Sequence, residues 1–283
     1  METTMEIQNM DGKEFLKGID DGVVDLVLTD PPYIISRESG MNSLINRINN
    51  NQSSRTEEDF NKYYEEKLKE KELPEKTLSK MRKNYLKYGD VLGKKYAYKT
   101  DYGDWDSNFT MEEIEFFMKE YYRILKPSGT CIVFFDLFKI SYLKEIFESV
   151  GFKQIRMIEW IKTNPQPLNS KVNYLSNCRE IALVGVKGSK PKFHSSYDNG
   201  IYLYPIYTSK DRFHPTQKNV ELFEDIIKKH SDENDIVLDS FLGSGTTAIA
   251  CRNSKRKFIG CEKNKKYYDL LLERIGKIVT PNV

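Results

Sequence analysis

Six short apolar runs constrain this chain more than any other feature of its sequence. "VVDLVLTD" (23–30), "GTCIVFFD" (129–136), "IRMIEWIKT" (155–163), "REIALVGVK" (179–187), "DIVLDSF" (235–241) and "KFIGCEKN" (257–264) have the length and composition of strands. Several are apolar at consecutive positions, the pattern of a strand covered on both faces. Helical patterns separate them: "TMEEIEFFMKEYYRILK" (110–126), "LFKISYLKEIFESVG" (137–151), "NVELFEDIIKKHS" (219–231), "TTAIACRNS" (246–254) and "KKYYDLLLERIGKIV" (265–279). The first opens on Thr110 followed by Glu113, the spacing of a capping box. This alternation predicts an α/β fold, a mostly parallel twisted sheet with helices on both faces.

Residues 36–100 break the alternation. "SGMNSLINRINNNQSS" (39–54) is rich in Asn and Ser, and a strongly helical stretch with Pro74 between its halves follows. The 283 residues are therefore read as one domain, with its core in 1–35 and 101–283 and a largely helical insertion at 36–100. The second half of the insertion, Lys76–Lys99, holds eight Lys or Arg against one acid, Asp90, with Tyr85, Tyr88, Tyr96 and Tyr98 interleaved. Cations with aromatic rings between them can follow a nucleic-acid backbone and stack on bases; a solvated helix face is the plainer alternative.

Charge balance excludes a chain-wide polycation: 44 Lys and Arg against 42 Asp and Glu leave a net charge of +2, so any basic surface is local. No apolar run approaches the roughly 20 residues that span a bilayer, and "METTMEIQNMDGKEF" lacks the pattern of a secretory signal. Cys131, Cys178, Cys251 and Cys261 are dispersed without CxxC spacing, as expected of free thiols in a reducing cytoplasm rather than of disulfides or a zinc site.

"DIVLDSFLGSGTTAIAC" reads as a strand, a tight turn and a helix, with Gly243 and Gly245 flanking Ser244. A P-loop would need a Lys after its last Gly. A nucleophile elbow needs GxSxG, and a dinucleotide fingerprint needs a third Gly where Ala248 stands. In open α/β sheets, ligands bind beyond the carboxyl ends of strands, near helix N-termini. The next strand ends in Glu262, 17 positions after Gly245, where such folds grip a ribose diol, and Asp239 ends the strand before the turn. Together these suggest a cofactor containing adenosine.

Three further stretches complete a pattern. "TDPPY" (29–33), "HPTQKN" (214–219) and "LDSFLGSGTT" (238–247) occur with "GDWDSN" (103–108), "YRILKPSGTCIVF" (122–134) and "EWIKTNPQPLNS" (159–170). In kind and order they resemble the β group of amino-methylating DNA methyltransferases, which transfer methyl from S-adenosylmethionine to N6 of adenine or N4 of cytosine. The resemblance covers about 1–35 and 101–280. It implies a Rossmann-like methyltransferase fold, a cytoplasmic enzyme acting on DNA, and a role in a restriction-modification system beside a cognate endonuclease with no stable complex. Many members dimerise, which leaves a homodimer open. Two departures stand out: Asn219 where the family usually has Pro, and Ser240 where it usually has Pro in "DPF". Only about 25 residues, 188–213, remain as a short target-recognition candidate, which raises the share of the insertion in reading DNA.

The resemblance assigns the catalytic segment to Asp30, Pro31, Pro32 and Tyr33. An exocyclic amino nitrogen is a weak nucleophile because its lone pair is delocalised. The Asp30 carboxylate and the Pro31 carbonyl, aimed by two rings of fixed φ, can accept its hydrogens and localise that pair. Tyr33 offers a face for a base flipped out of the duplex. Phe241, Gly243, Ser244 and Gly245 are implied around the cofactor, with Asp239 before them and Glu262 on the ribose. Thr246 and Thr247 at the helix N-terminus are implied at the methionine carboxylate, with Asp30 adjoining. Asp11 is assigned to the adenine amino group, with a helix N-cap as the alternative. His214, Thr216 and Lys218 are assigned to ordering the methionine end. Lys162 and Asn164 belong to a segment whose family counterpart helps form the base pocket. An acid at position 30 is commoner in adenine enzymes, so adenine N6 is the expected target. Cytosine N4, an RNA or protein amide, and a catalytically silent nucleic-acid-binding partner are the alternatives.

Overall fold

The computed structural model describes residues 4–32, 55–69, 73–88, 91, 109–165, 175–209, 212–214 and 216–279. They divide into two compact units, residues 1–34 with 108–283, and residues 35–107.

The larger unit is built on one eight-stranded sheet. Its strands are β1 (Met5–Gln8), β2 (Val24–Thr29), β3 (Leu125–Phe135), β4 (Lys153–Lys162), β5 (Arg179–Val186), β6 (Ile201–Tyr204), β7 (Ile236–Asp239) and β8 (Lys257–Cys261), in the order β1-β8-β7-β2-β3-β5-β4-β6. All neighbours run parallel except the two pairs made by β5, which is antiparallel to both β3 and β4. The carboxyl ends of seven strands therefore share an edge with the amino end of β5. The six expected strands are all present; β1 and β6, four residues each, add one strand at either side.

Helix α1 (Gly12–Lys17) follows β1. In the smaller unit, α2 (Glu57–Lys67) and α3 (Glu75–Tyr88) flank Pro74. Then come α4 (Met111–Ile124), α5 (Ile140–Val150), α6 (Val220–His230), α7 (Thr246–Asn253) and α8 (Lys265–Val279). The Thr110–Glu113 capping box at α4 is formed. Alternate residues of the central strands feed two cores. Leu26, Leu28, Ile132 and Phe134 meet α6 and α7 through Phe223, Ile226 and Ala248. Val27, Cys131, Val133 and Phe135 meet α1, α4 and α5 through Leu16, Phe117, Tyr121 and Phe147. The consecutive apolar pattern is thus a sheet sandwiched by helices.

The two family departures have local explanations. Asn219 caps α6: its Oδ1 accepts from Leu222 N at 3.0 Å and its Nδ2 donates to the Pro205 carbonyl at 3.1 Å. Ser240 Oγ lies 2.6 Å from the buried Tyr121 hydroxyl. The 188–213 stretch supplies β6, and its Lys192 reaches Asp235 at 2.6 Å.

The smaller unit has its own cluster, Phe60, Tyr85 and Val91, with the Phe60 and Tyr85 rings 5.6 Å apart. Tyr85 is therefore 7% exposed, which corrects its expected place among rings offered to bases. Lys76, Lys80, Lys83 and Lys87 are exposed along α3 at helical spacing, while Arg82 pairs with Glu57. Tyr96, Tyr98, Lys94, Lys95 and Lys99 lie outside the described residues, as does "GDWDSN". No helix among the described residues is long and apolar enough to cross a membrane, and all four cysteines are free.

Gly185 tests the packing between β5 and α5. A Cβ there would lie 2.6 Å from Phe147 Cδ1 and 3.0 Å from Phe152 Cβ. Gly185→Ala should cost about 1–3 kcal/mol, read as a lowered urea midpoint at unchanged slope.

Candidate active site

The turn after β7 is held from beneath by one carboxylate. Asp239 is 3% exposed and accepts from Thr29 Oγ1 at 2.7 Å, Thr247 Oγ1 at 2.6 Å and Phe241 N at 3.0 Å. It thereby ties the end of β2, the start of α7 and the turn into one unit. Burial pushes its carboxyl up to about 6 against these three donors, with the Asp30 charge adding to the rise. The sequence pattern places Asp239 at the cofactor turn, and there both of its oxygens accept from protein donors.

Gly243 and Gly245 have φ of +52° and +80°, the left-handed region that favours glycine. Gly245 is also the residue that caps α7. The Gly243 N–H donates to Glu262 Oε2 at 2.8 Å, and Asn264 N donates to Oε1 at 2.7 Å. Burial raises the Glu262 carboxyl. Thr246 and Ser244 hydroxyls are 3.1 Å apart, Thr246 Oγ1 donates to the Lys218 carbonyl at 3.3 Å, and Arg274 donates to the Ser244 carbonyl at 2.9 Å. Phe241 packs on Phe117, ring centres 4.7 Å apart.

Parallel pairing of β1 with β8 brings Asp11 beside the strand end that carries Glu262. Asn9 Nδ2 donates to the Glu262 carbonyl at 2.7 Å, and Lys263 lies 2.9 Å from Asp11 Oδ2. Asp11 Oδ1 accepts from Lys13 N at 2.9 Å, so the residue is also the N-cap of α1.

His214 sits against the turn. A Cβ on Gly243 would meet its ring at 3.4 Å, and its centroid is 4.4 Å from that of Tyr267. Burial, with Lys218 and Arg212 nearby, pushes its pKa down to about 4, so the ring is neutral. Thr216 Oγ1 and His214 Nδ1 are 3.1 Å apart.

Asp30 leaves the carboxyl end of β2, followed by buried Pro31 and half-buried Pro32; Tyr33 lies outside the described residues. Asp30 Oδ2 is 2.9 Å from Lys218 Nζ. Lys218 also pairs with Glu180 Oε2, and Glu180 Oε1 is 2.7 Å from Lys162 Nζ. Burial alone would lower the Lys218 ammonium, but Asp30 and Glu180 outweigh it and raise it. Burial would raise the Glu180 carboxyl, but Lys218 and Lys162 hold it below the usual range. Asn164 Oδ1 accepts from Ile206 N at 2.7 Å, which anchors the turn after β4. Glu180 belongs to no motif of the sequence. Its only signal is an acid at the head of an apolar strand, and its place depends on the antiparallel course of β5, which pairs Glu180 with Trp160.

These residues fit an adenosyl cofactor. Acceptor carboxylates (Glu262, Asp11), a Gly turn without Cβ atoms and a helix N-terminus converge on one strand edge beside Asp30. Comparison with known proteins agrees. The DNA methylase family matches residues 24–273. Type II methyltransferase M2.LlaDCHI of Lactococcus lactis subsp. cremoris is 33% identical over 199 residues, 64% of this chain and 74% of that protein. Type II methyltransferase M2.DpnII of Streptococcus pneumoniae is 33% identical over 194 residues, 62% of this chain and 72% of that protein. The crystal structure of M1.HpyAVI in complex with SAM superposes at a TM-score of 0.60 and 25% identity, covering 96% of this chain and all of the other.

A Rossmann-like fold with this edge defines an S-adenosylmethionine-dependent methyltransferase. The chain belongs to the DNA methylase family, the amino-methylating group to which its motifs point.

Asp239 gives a pH test. Its folded pKa of about 6 exceeds the ordinary aspartate value of 3.8, so its contribution is full below pH 4 and is lost as pH rises through 6. Between those limits the wild type should lose on the order of 2 kcal/mol relative to Asp239→Asn, which does not titrate. Urea unfolding of both proteins at the two ends of that window checks the sign.

Proposed function

We propose that this methyltransferase modifies N6 of adenine in a base extruded from DNA, as the modification enzyme of a restriction-modification system in the cytoplasm. The observation that carries this reading is the acid at position 30: Asp30 shares a strand edge with the Gly243–Gly245 turn, linked to it through Lys218, whose side chain meets Asp30 and whose carbonyl meets Thr246.

Bound S-adenosylmethionine supplies an electrophilic methyl group. The chain's own residues do the remaining work. Glu262 accepts from the ribose hydroxyls, and Asp11 accepts from the adenine amino group of the cofactor. The amides at the start of α7, freed of side chains by Gly243 and Gly245, receive its carboxylate. Asp30 accepts one hydrogen of the target amino group and the Pro31 carbonyl accepts the other. This draws the nitrogen towards a tetrahedral shape and exposes its lone pair. The Asp30 charge also stabilises positive charge as it develops on nitrogen. Tyr33 supports the extruded base. The 36–100 insertion contacts DNA phosphates through the lysines of α3, with 188–213 as the second candidate for target recognition.

Asp30→Ala should lower methyl transfer by at least about a hundredfold, while calorimetric affinity for S-adenosylmethionine stays within severalfold. Retained turnover would remove Asp30 from the reaction. Glu262→Ala should weaken cofactor binding about tenfold to a hundredfold, the loss of charged hydrogen bonds. Expression in a methylation-free host, followed by single-molecule sequencing of its DNA, identifies the base and site; N4-methylcytosine there would replace the adenine reading.

If α3 meets phosphates, replacing Lys76, Lys80, Lys83 and Lys87 with Ala should flatten the plot of log affinity against log salt. The slope should shrink by about 0.9 for each phosphate that the wild-type lysines neutralise. An unchanged slope would make this a solvated face.

A further inference from the structure

We infer that Glu180 is a positioning residue for the acceptor carboxylate: through Lys218, and held in turn by Lys162, it sets where the Asp30 side chain points and what charge it feels. The inference rests on the proposed role of Asp30.

Four ionic side chains form a row of alternating sign at the strand edge. Asp30 follows β2, Lys218 precedes α6, Glu180 is the second residue of β5 and Lys162 ends β4. The contacts are Asp30 Oδ2 to Lys218 Nζ at 2.9 Å, Lys218 to Glu180 Oε2, and Glu180 Oε1 to Lys162 Nζ at 2.7 Å. Side-chain exposure falls from 19% for Glu180 to 10% for Lys218, so solvent screens little of this.

A lysine alone is a poor positioning device, because its ammonium is a point charge on a flexible stem. Here the ammonium is fixed from several sides. Carboxylates take it from two directions, and the Phe134 and Trp160 rings lie 5.4 and 6.0 Å from it. Glu180 is what stops Lys218 from committing wholly to Asp30. With the Glu180 charge removed, the ammonium turns more fully to Asp30, and the carboxylate is drawn onto it and away from a substrate amino group.

Other charged groups bear on Asp30. Asp239 of β7 interacts with it electrostatically, and His214 feels the charges of both Lys218 and Arg212. Asp239, pushed up to about 6, is already protonated where an ordinary aspartate titrates, at about 3.9, and His214, pushed down to about 4, takes up its proton in that same range. Opposite responses therefore follow from two substitutions. Lys218→Met removes the adjoining cation while the Glu180 carboxylate remains, which makes Asp30 harder to ionise. Glu180→Gln, of the same shape, removes an anion and turns Lys218 towards Asp30, which makes it easier to ionise and less available.

The test is a carbon NMR titration of the Asp30 carboxyl in cofactor-free protein, its resonance assigned by its loss in Asp30→Asn. Lys218→Met should raise the midpoint by about one pH unit or more, and Glu180→Gln should lower it. At saturating cofactor, kcat for Glu180→Gln should fall about tenfold, with the KM for DNA and the cofactor Kd each within about threefold. Lys218→Arg should keep the midpoint near that of wild type. Midpoints that stay put, or that move in the same direction in Lys218→Met and Glu180→Gln, would overturn the inference. So would a cofactor Kd weakened more than tenfold by Glu180→Gln with kcat intact. Should Lys218→Met not fold, Glu180→Gln and Lys218→Arg still decide. The titration does not depend on which base is methylated, so a wild type that marks cytosine would defeat the adenine reading and leave this one measurable.

Discussion

The Asp239 carboxylate is the joint on which the site depends. Its three donors come from a strand end, a turn and a helix start, so one buried acid fixes the spacing between the segment carrying Asp30 and the segment carrying Gly243. Any carboxylate so deep costs free energy to ionise, and three hydrogen bonds offset part of that cost. The arrangement trades stability for registration, because apolar packing alone would not hold two loops at a set distance.

Topology supplies the rest. Seven strands deliver their last residues to one edge, and β5, running the other way, delivers its first. That is how Glu180, at the head of its strand, comes to lie among residues that close theirs. Side chains drawn from as far apart in sequence as Asp30 and Lys218 meet there with their charges cancelling in pairs. Alternating sign is the form in which buried charge is least costly, since each ion has partners within reach.

Much of this was legible in the sequence. Consecutive apolar runs disclose six strands and the two-sided burial behind them, and Thr110 with Glu113 marks a helix start to within a residue. Short elements with little apolar signal escape: β1 alternates half-buried with exposed positions, and α1 has only six residues. At the site, motif residues can be named but not their tasks. Asp239 and Thr247 look alike as motif members, and only the structure shows that the hydroxyl of one donates to the carboxylate of the other. Tyr85 looks like an exposed ring from its basic neighbours, whereas its partners Phe60 and Tyr63 lie on the preceding helix. Glu180 has no motif to mark it, because its neighbours are set by strand register and not by spacing along the chain.

Phe60 of α2, Tyr85 of α3 and Val91 are buried against one another in the smaller unit. A segment with its own buried cluster is judged by selection on two separate accounts. Its interior must keep three compatible shapes, while the lysines exposed along α3 can be exchanged without touching that cluster.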